Sequence, residues 1–510
     1  MRRRFGLLSL VVLAFAFAWP MQGTGFNQNA HYALVRALAD GTPRLDETRG
    51  EVGQLGTRDI HVFEGHYYSD KAPMLAFVSL PAFLAVEAAG ISTAGAEGTG
   101  DPTKMLWALG LLGTVLPAAL ALFVVRSIGE RIEPGSGTGA AVVLGVATLL
   151  LPFSGLFFSH ALAAFFNIAA FALLFAAHRA EQGSALRLVA AGGVVAGLSI
   201  STEYPNALVA VALGVYACCR SDRMRRALAY GLGVVGGLVP LLAYNAWAFG
   251  TPFHLSYAGA LTQDVTGNAF FGLDPPSLRN ATELLFSSLG LVTVTPVVVC
   301  GLLGSAILYR RGLRAEGVLF ALLPALFVVY TSAYFTPFGG IGPPRYLIPV
   351  LPFLAVPLAV ALRSFPAVTV ALALVSAVVM VGTTATYALA GYDWEFLDRL
   401  ANGEVPLTAA SLAGITGWIA IVPFFLLILS AVALAFLAST PRVVRNLDVL
   451  LAAAAVLLWA LLAATSPRPF ELGGDGRDLA AYRGAALVLL LTAAAVAAAR
   501  ATRPTPQYPE

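Results

Sequence analysis

Asp59, His61, Glu64, His66, Asp70 and Lys71 fall within one short stretch of the chain, with Asp46 and Glu47 a little upstream. A carboxylate held near a reacting centre can act as general base toward a hydroxyl. A lysine or arginine beside it can neutralise a phosphate. Lys71 carries extra information, because only Lys71 and Lys104 are lysines among 31 basic residues. A lysine kept where arginine is the rule points to a need for a compact ammonium. The plainer alternatives are solvated loop carboxylates and a lysine anchoring the apolar segment that follows. His61, Glu64 and His66 could also ligate a metal, but their spacing matches no strong metal motif. No cofactor is therefore expected, and a divalent metal is left open.

Further polar groups stand at the ends of apolar segments. His160 follows the Pro152-Phe153-Ser154-Gly155 break, Glu203-Tyr204 precedes Pro205, and Asn245 lies inside 227–249. Acids embedded among apolar segments are costly, which makes Glu203 a functional candidate, with capping of its own hairpin as the alternative. The segment from Phe338 through two glycines to Gly342-Pro343-Pro344-Arg345-Tyr346 has Arg345 as its only cation. Glycines permit close approach of backbone to a ligand, and Arg345 suits a phosphate or pyrophosphate; an interfacial Arg-Tyr anchor is the alternative. Residues 26–40 have helical spacing. Phe26, Ala30, Ala33, Leu34, Ala37 and Leu38 form an apolar stripe, and Asn29, Tyr32, Arg36 and Asp40 share the other face. Gly41-Thr42-Pro43 stops this helix, which is expected to lie flat on a membrane surface.

The elements that must position these residues are membrane helices. The chain has 58% hydrophobic and 12% charged residues and a mean hydropathy of +0.79, which excludes a soluble globular protein. Its net charge of +3 sits in loops and implies no nucleic-acid partner. Cys218, Cys219 and Cys300 lie in or at apolar segments, so no disulfide framework is expected. The basic start Arg2-Arg3-Arg4 and the apolar run after it lack a cleavage site, and read as an uncleaved first helix. Apolar segments then recur at 74–92, 104–126, 139–153, 160–178, 188–202, 205–219, 227–249, 284–309, 317–335, 346–362, 366–388, 413–438, 447–465 and 484–500. With the N-terminus inside and 74–92 lying in the outer leaflet without crossing, most basic residues fall inside and most acidic residues outside. The reading is an all-α polytopic membrane protein with about 14 spans, both termini cytoplasmic and a polar outer loop. Its parts are a first helix at 1–20, an outer loop at 21–103, a bundle at 104–500 and a polar, disordered tail at 501–510. The preference for arginine over lysine points to a GC-rich bacterial genome, hence a bacterial cytoplasmic membrane.

Two stretches resemble a known pattern. Gln28-Asn29-Ala30-His31-Tyr32 with Gly41, and Gly65-His66-Tyr67-Tyr68-Ser69-Asp70-Lys71-Ala72-Pro73, are similar to the loop of the GT-C superfamily of polytopic glycosyltransferases, in particular its bacterial dolichyl-phosphate-mannose-protein-mannosyltransferase-like branch. Gly342-Pro343-Pro344-Arg345-Tyr346 resembles a later loop of the same group. The resemblance implies a GT-C-like bundle with an outer juxtamembrane loop region, and transfer of a hexosyl or pentosyl group from a polyprenyl-phosphate donor to a glycan, lipid or protein acceptor on the outer face. Such a protein works among membrane lipids. The family's base is an acid at the start of the loop helix, where this chain has the amides Gln28 and Asn29, and an amide is no base at neutral pH. Asp70, Asp59 and Asp46 are the substitutes, in that order. Lys71, Arg345, Tyr346, Asn29, Tyr32, His160 and Glu203 are the expected substrate-binding residues. A flippase for a lipid-linked precursor and a catalytically inactive relative are the competing readings.

Overall fold

The computed structural model describes residues 1–46, 57–90, 102–220, 222–260, 272–334, 337–339, 342–440 and 443–469. The expected helix at 484–500 and the tail at 501–510 lie outside the described residues. Among the described residues nine helices are long and apolar enough to cross a membrane, from Thr103–Ile132 to Asn446–Thr465. A tenth span is possible if Leu278–Val294 and Val298–Arg310, bent by 89° at the break before Val298, are taken together. The chain is thus a multi-pass all-α membrane protein. The count of about 14 is not reached among the described residues, and length is the reason. The first helix, α1 (Arg2–Ala18), has 17 residues, and Gly137–Val146 and Ala207–Ala217 have 10 and 11. Gly137–Val146 is almost wholly buried among longer neighbours, where protein and not lipid surrounds its backbone.

The bundle has two distinct ends. At one, Arg311 reaches Glu133 at 2.7 Å, the Asp448 carboxylate accepts from the Ala367 amide at 2.7 Å, and the Thr440 amide donates to the Gly135 carbonyl. The helix start with Arg2–Arg4 belongs to this basic end, since Arg126 lies against Thr138 and Gly6. At the other end the short strand β1 (Pro20–Met21) pairs antiparallel with Leu407–Thr408, and the polar loop follows. Trp107 Nε1 donates to the Ala18 carbonyl at 2.8 Å, so the helix beginning at Thr103 starts at this same end.

Three elements shape the loop. Helix α2 (Phe26–Ala39) is followed by a hairpin of β2 (Ile60–Phe63) and β3 (His66–Ser69), and then by α3 (Met74–Ala88). Glu64 and Gly65 both take positive φ, 51° and 80°, the geometry that closes a two-residue hairpin with the right twist. Helix α3 has 15 residues, about 22 Å by helix rise, short of the roughly 30 Å hydrocarbon core. It starts just after Asp70, and the next helix begins at Thr103 on the same side of the bundle.

The surface-lying amphipathic helix expected at 26–40 is not what forms. Gln28, Asn29, His31, Tyr32, Leu34 and Val35 are all buried, whereas Phe26, assigned to the apolar stripe, is 55% exposed. The reason is that both sides of α2 are covered: Leu45 and the hairpin residues Ile60 and Tyr67 pack on Ala33 and Ala37. On the other side Tyr32, Leu34 and Val35 join Leu75, Phe83 and Phe157.

One helix pair sets the height of the site. Gly183–Thr202 and Arg223–Phe249 cross with their backbones in contact at Gly193, Gly197, Gly233 and Gly237. A Cβ at Gly197 would stand 2.3 Å from the Val234 carbonyl oxygen, and one at Gly237 would stand 2.1 Å from that of Val194. Small residues four apart allow such approach between membrane helices. The pair delivers Glu203 and the 250–260 loop to the same end as the hairpin.

Candidate active site

Lys71 is the centre of the site. Its Nζ lies 3.0 Å from Asp59 Oδ2 and 3.0 Å from Asp70 Oδ1, with the lysine and Asp70 side chains 14% and 4% exposed. Asp59 comes just before β2 and Asp70 just after β3, so closing the hairpin brings both carboxylates to one ammonium. The Lys71–Asp70 contact is an ion pair that leaves Oδ1 without a directional hydrogen bond. Burial pushes the Asp70 carboxyl up to about 6; Lys71 opposes this shift and Asp59 adds to it. Burial alone would lower the Lys71 ammonium, but Asp59 and Asp70 outweigh it and hold the pKa above the ordinary lysine range. The result is a carboxylate of raised basicity beside a permanent cation, the combination that proton abstraction near a phosphate requires.

The loop after Phe249 fixes this pair from behind. Ser256 Oγ donates to the Asp70 carbonyl at 2.8 Å and lies 3.0 Å from the Tyr204 hydroxyl. His254 Nε2 lies 3.0 Å from His61 Nε2, amid Phe63, Tyr68 and Phe249. Tyr257 and Tyr334 lie within electrostatic reach of Asp70, and Tyr346 within that of Lys71.

A second group of polar residues borders the first. His160 Nδ1 is 2.6 Å from Glu203 Oε1, which also accepts from Ser159 Oγ at 2.8 Å. The His160 ring meets Tyr346 edge-on at 5.9 Å and stacks on Phe158. Arg345 is buried with its guanidinium 5.1 Å from the Phe158 ring and 5.4 Å from that of Tyr346, and its Nε makes no hydrogen bond among the described residues. Gly339, at φ 69°, makes room for it, since a Cβ there would stand 2.6 Å from the guanidinium. Here the glycine admits a side chain of the protein itself.

The structure therefore brings together Asp59, Asp70, Lys71 and Tyr346, and Tyr346 in turn with His160, Glu203 and Arg345. Three other candidates stand differently. Asp46 is turned to the far strand, with Oδ2 2.6 Å from His66 Nδ1 and Oδ1 accepting from the Tyr67 amide at 2.8 Å. Tyr32 packs against Phe83 in the apolar layer beneath the hairpin, and Arg36 lies over its ring. Asn29 is buried one residue beyond Gln28. His61, Glu64 and His66 do not converge, and no group of three metal-ligating side chains occurs among the described residues. Asn245 lies inside the helix Arg223–Phe249, near its end, and donates to the Pro252 carbonyl.

The amide at position 28 has a structural explanation. Gln28 Oε1 accepts from the Phe157 amide at 2.9 Å while Nε2 donates to the Gly23 carbonyl at 2.8 Å. A carboxylate could perform only the first of these. Gln28→Glu is expected to lower stability by about 1–3 kcal/mol, the cost of an unmet buried polar group, read as a drop in the thermal unfolding midpoint. An unchanged midpoint would remove this account.

The reading of the sequence missed His31, Ser256, Tyr257 and Tyr334. His31 is 1% exposed on α2, beside Phe157. The signal for it was its place one turn after Gln28, on the same face.

No protein-family profile matches the chain, and no characterised protein matches it in sequence. Solved structures do. ArnT from Cupriavidus metallidurans bound to undecaprenyl phosphate aligns over 96% of this chain and 76% of its own, at 16% identity and a TM-score of 0.46. The archaeal oligosaccharyltransferase AglB from Archaeoglobus fulgidus, in complex with an inhibitory peptide and a dolichol-phosphate, aligns over 86% of this chain and 55% of its own, at 12% identity and a TM-score of 0.44. This chain is similar to both. At such scores the likeness carries no chemistry across, and the functional reading rests on the residues above.

Proposed function

We propose that the chain is an integral-membrane glycosyltransferase of the GT-C kind, moving a sugar from a polyprenyl-phosphate donor to an acceptor on the outer face of a bacterial cytoplasmic membrane. The observation that carries this reading is the buried Asp59–Lys71–Asp70 group at one end of a membrane bundle, with Arg345 and Tyr346 beside it. Lys71 and Arg345 hold the donor phosphate; the lipid tail lies between helices; the hairpin end faces outward and both termini face the cytoplasm. Asp70 takes the proton of the acceptor hydroxyl, whose oxygen attacks the anomeric carbon with inversion as the lipid phosphate departs. Asp59 keeps Lys71 in place, and the His160–Glu203 pair and Tyr346 border the sugar. Residues 1–20 act as the first membrane helix, 21–103 as the outer loop and 104–500 as the bundle. The motif resemblance around residues 28–32, 65–73 and 342–346 supports the same assignment. No step of the reaction as written calls for a metal, and a hexosyl or pentosyl donor fits it equally.

The reading is tested by transfer from polyprenyl-phosphate sugars in reconstituted membranes. Loss of transfer in the combined Asp70→Asn, Asp59→Asn and Asp46→Asn variant is expected, and undiminished transfer would sink the catalytic assignment. Asp46→Asn alone should stay within about threefold of wild type, because its carboxylate serves the hairpin and its loss is a hydrogen-bond effect near 0.5–1.5 kcal/mol on folding. A deficit of a hundredfold in that variant would return Asp46 to the chemistry. The broken span at 278–310, bent by 89°, favours one second reading, transport of a lipid-linked precursor. Lipid translocation without any covalent product would establish it, and binding of the donor without turnover would mark an inactive relative.

A further inference from the structure

His31 is buried, and neither Nδ1 nor Nε2 has a hydrogen-bond partner among the described residues. Buried polar atoms are nearly always paired, so two open nitrogens on one ring point to a missing ligand. The ring meets Phe157 edge-on at 6.1 Å and lies within electrostatic reach of Lys71 and His160, one from each group of the site. Its backbone is fixed by Gln28, one turn earlier, which ties α2 to the Phe157 segment. Burial, then Lys71, then His160 all disfavour the imidazolium, so the ring is neutral at working pH. A neutral imidazole offers one donor and one acceptor. Phosphate oxygens supply only acceptors, and an ammonium supplies only donors. A hydroxyl supplies both.

We propose that His31 binds a hydroxyl of the donor sugar, next to the phosphate held by Lys71 and Arg345. This rests on the glycosyltransfer reading, which places the sugar's first carbon on that phosphate and hence its neighbouring hydroxyls within the same pocket. His31 thereby helps the site tell a sugar-bearing lipid from the bare lipid phosphate left after transfer.

The test is binding, with the full chain in lipid nanodiscs and three probes: polyprenyl phosphate, polyprenyl-phosphate mannose and polyprenyl-phosphate arabinose. Wild type is expected to bind at least one glycosylated lipid about tenfold more tightly than bare polyprenyl phosphate, a difference of one well-made hydrogen bond. His31→Phe keeps a flat ring without nitrogens; it should bind all three alike, with bare polyprenyl phosphate unchanged and the thermal midpoint unchanged or raised. His31→Gln, which restores a donor and an acceptor, should recover part of the preference. A preference retained in His31→Phe overturns the proposal, as does a wild type that binds all three equally. A lowered midpoint in His31→Phe with the preference intact would make His31 structural. A wild type that binds none of the lipids would instead remove the glycosyltransfer reading itself, and this inference with it.

Discussion

Replacing Asp70 by asparagine is expected to lower the rate of sugar transfer by about 10²- to 10⁴-fold, the usual weight of a general base, while leaving donor binding nearly intact. The asymmetry follows from what remains. Asp59 still lies 3.0 Å from the Lys71 ammonium, so the cation proposed to hold phosphate stays paired and in place. The amide fills the carboxylate's volume but cannot take a proton. A pH profile separates this role from a packing defect. A base works only when deprotonated, so wild-type kcat/KM should climb as pH rises through the Asp70 pKa near 6 and level off above it. An ordinary aspartate would place that limb near 4. In Asp70→Asn the limb should be absent. A variant that transfers at the wild-type rate, or that keeps the same acid limb, would assign the base elsewhere.

Lys71→Met should have the second large effect, on both folding and transfer. It strips the shared counter-ion from two carboxylates, of which Asp70 is 4% exposed and Asp59 18%. Breaking a buried pair from one side costs about 3–5 kcal/mol, because the charge left behind is uncompensated. The carboxylates can escape by protonation, and this gives the deficit its pH dependence. Without the ammonium the folded Asp70 pKa, already raised by burial, rises further above its unfolded one, so the variant's folded state binds protons more tightly. The loss is then full at pH 8 and shrinks as pH falls toward 5. Thermal unfolding of both proteins across that range checks the sign. Lys71→Arg should keep more of the stability and little of the transfer, since a planar fork does not sit as a compact ammonium between two carboxylates. A Lys71→Met deficit that is flat with pH would contradict the shared-lysine arrangement.

Much of this site was legible because single residues stood against their background. Lys71 was conspicuous as a lysine in an arginine-using chain, and Asp70 by its adjacency to it. Glu203 was conspicuous as an acid at a helix tip, and it does carry a partner there, His160. What stayed hidden depends on pairing across long separations. Ile60-His61-Val62-Phe63 and His66-Tyr67-Tyr68-Ser69 flank a Glu64-Gly65 turn, yet their length alone does not say that the resulting hairpin lies on α2. Once it does, the hairpin takes the Ala33–Ala37 side of α2 while Leu75, Phe83 and Phe157 take the other, and Asn29, His31 and Tyr32 are buried, not exposed at a membrane surface. Asp46 stands as a substitute base for the acid missing at 28 and 29; only its contacts in the fold show it serving His66 and Tyr67. The number of spans among the described residues falls below the expected count for a different reason. Apolarity does not distinguish a helix facing lipid from a short one enclosed by its neighbours, as Gly137–Val146 is.

The central claim is that Lys71 and Arg345 grip a lipid-linked phosphate with Asp70 facing its reacting end. A structure of the full chain with a polyprenyl-phosphate analogue bound in nanodiscs tests it most directly. The phosphate is predicted within hydrogen-bond distance of both Lys71 and Arg345, with the Asp70 carboxylate on the sugar side of it. A phosphate seated at the opposite, arginine-rich end of the bundle, or one at this end with Asp70 turned away, would contradict the account.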